Sequence, residues 1–334
     1  MEKSLEPEPI DLVYCWCDGN DQAFKARKNK YLEEAHLPKD SDDVGDLRFW
    51  DNNELKYSLR SVEKNVPWVN HIYIVTDRQV PKWLNLANPK ITLVDHAEIL
   101  PAELIPTFAS TVIERHIHKI QGLTEKFLYA NDDLFFNKPL TKKFFFTGNR
   151  PKVYVTYYER FTSVEDEQDF QKKFAEVATW MKTNLNVWKL LFKQYGRHEF
   201  YVSPHVVDGY TKTLFQEVVN RYQEAFDLAD KERFRSAACI TRSIFGLDMA
   251  YSGQADLEIV KKPGFWEKHI HHDPHHELKC FCGSENAKTR REILRFEPDI
   301  FCVNADIKCN LQDKKDMQLF YEKLFPEPSS FEKA

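Results

Sequence analysis

Phe127-Leu128-Tyr129-Ala130-Asn131-Asp132-Asp133 decides the fold, because a short apolar run ends there in one amide and two carboxylates. The run reads as a buried strand. Paired carboxylates at the C-terminal end of such a strand sit where open α/β sheets bind their ligands. Asp132 and Asp133 cannot both stay charged without a counter-ion, and a hard divalent cation with oxygen ligands suits them. Such a cation can in turn hold a diphosphate. A polar turn with a helix cap is the other reading of the same residues.

Working outward, Ile10 to Trp16 reads as a strand closed by the turn residues Asp18-Gly19-Asn20-Asp21. A polar helix covers Gln22 to Ala35. Asp51 and Glu54 stand at capping-box spacing before Leu55, Leu59 and Val62, a helical pattern that Pro67 stops. Strands follow at His71–Thr76 and Ile91–Val94. A helix over Ala109–Ile120 carries Val112, Ile113, His116, Ile117 and Ile120 on one face. The order β-α-β-β-α-β predicts an α/β fold with a mostly parallel sheet.

Residues 1–150 are expected to form this α/β half, which carries the acidic strand end and its candidate metal. Residues 151–334 read as mainly helical, with helices over 165–195, 209–229, 230–245 and 314–325 and a strand near 299–303. Phe170, Phe174, Val177, Met181, Leu185 and Trp188 share one helix face in that half. It is expected to supply a histidine and an arginine and to close the site. One continuous catalytic domain is the alternative, since no linker marks a boundary at 150–165.

Composition excludes several classes. The 334 residues carry 47 Lys+Arg against 52 Asp+Glu, a net charge of -5 that argues against a nucleic-acid binder. A hydrophobic fraction of 42% excludes a disordered chain. No apolar run approaches the ~18 residues that cross a bilayer, and the acidic stretch Met1–Pro9 is no signal peptide. A soluble, cytoplasmic protein is expected. The 10 glycines form neither a GxGxxG turn nor a Walker loop, so phosphate must be held by metal, arginine, polar side chains or helix N-termini.

Seven cysteines, an odd number, suit reduced thiols. Cys15 and Cys17 read as small buried hydrophobes in a strand. The tract His269-Ile270-His271-His272-Asp273-Pro274-His275-His276, followed by Cys280 and Cys282, has zinc-binding residue types but no standard zinc spacing.

Other candidates gather around the first half. Asp18-Gly19 has the same strand-end position as Asp132. Arg48, Asp51, Asn52, Asn53, Glu54 and Arg60 surround one helix N-terminus, a setting that favours phosphate and sugar hydroxyls. Capping alone would account for Asp51 and Glu54. His205 stands in the loop-like Ser203-Pro204-His205. Arg235, within Lys231-Glu232-Arg233-Phe234-Arg235, reads equally as part of a solvated helix face.

Together these stretches resemble the Stealth family, whose members include bacterial capsular polysaccharide phosphotransferases and the eukaryotic GlcNAc-1-phosphotransferase. Ile10-Asp11-Leu12-Val13-Tyr14 through Asp21 looks like the first conserved box. Arg48-Phe49-Trp50-Asp51-Asn52-Asn53-Glu54-Leu55 through Asn131-Asp132-Asp133 is similar to the second almost throughout. Pro204-His205 with Arg235 resembles the third, and Cys302-Val303-Asn304 with Phe325-Pro326-Glu327-Pro328 resembles the fourth. One position departs from the pattern: Ala305 stands where the family has Asp, with Asp306 next to it.

The resemblance implies a glycosyltransferase-A-like core and transfer of a sugar-1-phosphate from a nucleotide-diphosphate sugar, such as UDP-GlcNAc, to a glycan hydroxyl. It implies Mg²⁺ or Mn²⁺ on Asp132 and Asp133, with Arg235 as a phosphate clamp. His205, with a reference pKa near ~6.5, would take the acceptor proton. Asp18, Gly19, Arg48, Asp51, Asn52, Asn53, Arg60, Asn131 and Asn304 would bind donor. It also implies a near-minimal catalytic unit in capsule or exopolysaccharide synthesis, at the inner face of the cell membrane and without a membrane span. Two other functions stay open: a metal-dependent glycosyltransferase releasing the nucleoside diphosphate, and a carbohydrate-binding protein with a decayed site.

Overall fold

The computed structural model describes residues 8–39, 43–173, 179–260, 276–281, 286–305 and 309–333. The strands are β1 (Ile10–Cys15), β2 (Ile72–Thr76), β3 (Ile91–Asp95), β4 (Lys126–Asn131), β5 (Leu134–Phe136), β6 (Phe146–Thr147), β7 (Arg150–Arg160), β8 (Glu199–Val202), β9 (Asp208–Thr211), β10 (Asp256–Val260), β11 (His276–Phe281) and β12 (Ile300–Ala305). The helices are α1 (Gln22–Glu34), α2 (Glu54–Asn65), α3 (His96–Ile99), α4 (Ser110–Glu114), α5 (Lys142–Phe145), α6 (Val164–Lys173), α7 (Thr179–Tyr195), α8 (Lys212–Arg221), α9 (Gln223–Ala229), α10 (Ser243–Tyr251), α11 (Asn286–Phe296) and α12 (Leu311–Leu324).

The central sheet runs β3-β2-β1-β4-β9. Its first four strands are parallel, and β9 lies antiparallel on β4. Alternation along each strand assigns its two faces. Leu12, Tyr14, Ile72, Ile74, Leu128 and Ala130 pack with Leu55, Leu59 and Val62 of α2. Val13, Tyr73, Val75, Phe127 and Tyr129 pack on the other side with Val112 and Ile113 of α4, Phe215 of α8 and Phe245 of α10. A sheet covered on both faces explains why these strands are apolar without a break. The expected α/β fold with a mostly parallel sheet is the one observed.

Two smaller sheets complete the molecule. In one, β7 pairs with β6, β8 and β10; the other runs β11-β12-β5. β5 and β12 are antiparallel, and Val303 N–H donates to the Asp133 carbonyl at 3.1 Å. β9 and β12, from beyond residue 150, thus pair with β4 and β5 from before it.

Several local expectations are corrected. Among the described residues beyond 150, the strands β7 to β12 stand beside the helices α6 to α12, where the sequence pattern showed a single strand near 299–303. The 109–120 helix stops after Glu114 and resumes as a 3-10 turn over Ile117–Lys119. His116 causes the break: its N–H bonds the Ile113 carbonyl at 2.9 Å, while its ring Nδ1 bonds the Val112 carbonyl at 2.9 Å. The expected 209–229 helix opens instead with β9 and then divides into α8 and α9. Residues 230–242 form no helix; Phe108 N–H bonds the Arg233 carbonyl at 2.7 Å and Phe234 stacks on Phe108, which pins the segment as a loop. The capping box at Asp51 is absent too. Asn53, at φ 61, is the N-cap, and Glu54 accepts from Asn52 N–H at 2.5 Å.

Candidate active site

The four parallel strands end on one edge, where Cys15 is in register with Asn131 and Val75. A cavity of about 360 Å³ opens over that edge. Asp132 and Asp133 form the two-residue turn between β4 and β5, so two sheets fix their backbone. Both line the cavity together with Asn131 and Glu54.

This wall is loaded with carboxyl groups. Burial pushes Asp133 up to about 6. Burial also holds Asp132 well above the carboxylate range, with the charges of Asp133 and Asp51 adding to the effect. Glu54 is raised by burial and by Asp51 and Asp132. Asp133 Oδ1 is buried without a hydrogen bond. A buried acceptor left unpaired is costly, and a cation would relieve both that cost and the repulsion.

The donor set fits a hard cation of a particular kind. Among the described residues no group of three or more His, Cys, Asp or Glu could hold a metal ion. Mg²⁺ is commonly bound by one or two carboxylates and completes its shell with substrate phosphates and water. Asp132 and Asp133 offer that minimal set.

The same lining carries the cations Arg48, Arg235 and Arg242, and with them His205. Burial and the nearby Arg235 bring Arg48 down to about 10. Burial first, then Arg242, Arg235 and Arg48, brings His205 down to about 3. The ring is therefore neutral, and far less basic than the ordinary histidine the sequence suggests. Arg235 lies in the pinned loop, with Nε 3.6 Å from Asp43, so it is no part of a helix face.

The structure thus brings together Arg48, Asn131, Asp132, Asp133, His205 and Arg235. Other candidates have different work. Arg60 forks onto Glu332 at 2.7 and 2.8 Å and bonds the Phe325 carbonyl at 2.8 Å, anchoring the C-terminal segment. Asn52 donates to the Lys314 carbonyl at 3.1 Å. Asp18 accepts from the Asn20 amide groups, and a Cβ on Gly19 would stand 2.1 Å from the Phe49 carbonyl oxygen. Close backbone approach therefore explains the glycine. Asp51 accepts from Trp16 Nε1 at 3.1 Å and acts on Asp132 through its charge. Asn304 is placed on β12, in register with Cys280. The stretch 269–275, Cys282 and Asp306 lie outside the described residues.

Sequence reading missed Arg242, Asp208 and Glu114. Arg242 Nε donates to Asp208 at 2.6 Å, its Nη1 is 3.9 Å from Glu114, and its guanidinium lies 5.3 Å from the Tyr129 ring centre. The available signal was a lone cation in the apolar run Cys239-Ile240-Thr241-Arg242-Ser243-Ile244-Phe245. A buried charge needs a partner.

Comparison with known proteins agrees in sequence more closely than in structure. Residues 48–153 match the family profile described as Stealth protein CR2, conserved region 2, and residues 291–334 match Stealth protein CR4, conserved region 4. The capsular polysaccharide phosphotransferase fcs1 of Haemophilus influenzae is 36% identical over 244 residues, 70% of this chain and 64% of the relative. The exopolysaccharide phosphotransferase SCO6023 of Streptomyces coelicolor is 36% identical over 251 residues, 74% and 41% of the two chains. The chain thus spans less than two thirds of the length of both. The exopolysaccharide phosphotransferase cps2G of Lactiplantibacillus plantarum is 31% identical over 252 residues, 69% of this chain and 72% of the relative. Among solved structures, the galactosyltransferase LgtC, in complex with donor and acceptor sugar analogs, aligns over 96% of this chain and 97% of its own at 9% identity and a TM-score of 0.44.

Proposed function

We propose that this chain, which belongs to the Stealth family, transfers a sugar-1-phosphate from a nucleotide-diphosphate sugar to a glycan hydroxyl and releases the nucleoside monophosphate. The setting would be assembly of a capsular polysaccharide or exopolysaccharide at the cytoplasmic face of the membrane. Among the described residues no helix is long and apolar enough to cross it. UDP-GlcNAc is the donor to try first.

One observation carries the reading: a single cavity sets Asp132 and Asp133 against Arg48, Arg235, Arg242 and the neutral His205. Phosphoryl transfer develops charge on non-bridging and leaving oxygens and asks mainly for positioning and charge stabilisation. Arg235 and Arg48 hold diphosphate oxygens, a task for which a planar guanidinium can bind two at once. Asp132 and Asp133 would hold Mg²⁺ or Mn²⁺, which supplies further neutralisation of diphosphate charge when bound. His205 accepts the proton of the attacking hydroxyl. Burial is the main cause of its low basicity; a diphosphate among Arg242, Arg235 and Arg48 offsets their lesser contribution, so donor binding raises the basicity of the ring.

Turnover of UDP-GlcNAc and other nucleotide sugars, with oligosaccharide acceptors, tests this reading. Activity should require Mg²⁺ or Mn²⁺, and Asp133→Asn should abolish most of it while the far-UV and near-UV circular dichroism stay unchanged. Full activity in excess chelator, or in Asp133→Asn, would contradict the assignment.

A further inference from the structure

We propose that Asp77 and His96 form the nucleoside end of the donor site, where they hold the hydroxyls of the ribose. The inference rests on the cavity being a nucleotide-sugar site, and it fixes which way the donor lies.

Asp77 directly follows β2, and His96 follows β3 as the first residue of α3. Both line the cavity, although they are only 5% and 6% exposed. One polar atom of this lining is unsatisfied: His96 Nδ1 is buried without a hydrogen-bond partner. Buried polar groups are nearly always paired with protein, water or ligand, so an unpaired ring nitrogen in the wall of a cavity points to something that occupies it.

Helix capping does not explain His96. The cap of α3 is Asp95, whose side chain and Glu98 form a complete capping box. Nor does the ion pair with α1 use up Asp77. Arg27 Nη2 donates to Oδ2 at 2.8 Å, while among the described residues the cation nearest Oδ1 is Arg78, with Nε at 3.9 Å. Burial lowers the pKa of His96 against the pull of Asp77 and Asp95, which favours the neutral ring with one donor and one acceptor nitrogen. A carboxylate oxygen that only accepts, beside an imidazole that can do either, matches a pair of sugar hydroxyls.

The placement also fits. Open α/β sheets bind ligands beyond the carboxyl ends of their strands, which is where Asp77 and His96 stand. Here β1 lies between β2 and β4. The end of β2 therefore stands two strand spacings, roughly 10 Å, from the end of β4. A ribose at Asp77 and His96 would reach across Trp16 and Cys17, which line the floor between. Its diphosphate would then lie between the acidic pair and the arginines.

Calorimetric titration in Mg²⁺ buffer separates this claim from the reading beneath it. The probes are UDP, ADP, GDP and CDP, each with its 2′,3′-dideoxy counterpart, and inorganic pyrophosphate for the phosphate end. The wild-type protein should bind at least one ribonucleotide about ten- to a hundredfold more tightly than its dideoxy form, as expected for hydrogen bonds to a charged group. Asp77→Asn should shrink that preference severalfold and leave pyrophosphate binding as it was; His96→Gln should weaken the nucleotide and again spare pyrophosphate. Equal binding of ribo and dideoxy forms by the wild-type protein, which needs no variant, would overturn the proposal, as would an undiminished preference in Asp77→Asn. Pyrophosphate binding with no nucleotide preference refutes the nucleoside end alone. Loss of pyrophosphate binding as well refutes the donor site itself.

Discussion

Arg242 Nε donates to Asp208 Oδ2 at 2.6 Å, and that bond ties a side chain of the cavity wall to the start of β9. Asp208 stands three residues beyond His205 and is in register with Tyr129 of β4. Arg242, packed over the same Tyr129 ring, thereby holds the histidine loop against the strand that ends in Asp132 and Asp133.

Removing one partner should therefore cost more than removing both. Arg242→Met leaves Asp208 buried without its counter-charge, a change worth about 3 kcal/mol or more. The double change Arg242→Met with Asp208→Asn should recover part of that stability but little activity, because the cavity still lacks a cation. Urea unfolding of the three variants measures the coupling. Additive losses would mean that the pair does not act as a unit.

His205 should titrate far below an ordinary histidine. Burial and three arginines depress it to about 3, so the free protein keeps the ring neutral from neutral pH down to about 4. The sign for stability follows. The neutral ring favours folding above the unfolded value near ~6.5, and that contribution is lost as pH falls from there toward the folded value. Histidine NMR should show the low titration, and saturating pyrophosphate should move it upward. A free-protein value of 6 or above would contradict the stated environment.

Arg60 should matter to folding and not to substrate. Its fork holds Glu332, whose carboxyl is brought down to about 2 chiefly by Arg60 and the Ser329 N–H against the effect of burial. Glu332 then stabilises the fold above its unfolded value near ~4.3, and the contribution disappears as pH falls toward 2. Arg60→Ala should lower unfolding free energy by about 3 kcal/mol and change donor and acceptor KM by less than about twofold. A large KM effect in a fully folded variant would restore Arg60 to the binding site.

The legible parts of this chain are those where one signal dominates. β1, β2 and β4 are continuous apolar runs because helices cover both of their faces, and Asp132-Asp133 stands out as the polar end of such a run. β7 was hidden because Arg150, Lys152 and Glu159 interrupt its apolar residues, as a partly exposed strand permits. β9 begins Asp208-Gly209, which reads as a turn, and becomes a strand only by lying beside β4. His205 was marked locally only by its loop-like setting after Ser203-Pro204, and Arg235 gained a role through family resemblance alone, since its neighbours read equally as a solvated helix face. Arg242, Asp77 and His96 come to the cavity through sheet order, which residue spacing does not encode. Arg60 misled because a buried structural ion pair and a phosphate clamp use the same residue type.

The account turns on which bond breaks, and the nucleotide released reports it directly. With a nucleotide-diphosphate sugar, a divalent cation and a glycan acceptor, the proposed roles of Arg235 and His205 at the sugar-side phosphate predict release of the nucleoside monophosphate. Chromatography of the nucleotide reads this, and phosphorus NMR of the glycan should show a new phosphodiester in equal amount. Release of the nucleoside diphosphate, with a product free of phosphorus, would contradict the account and place the reaction at the anomeric carbon instead.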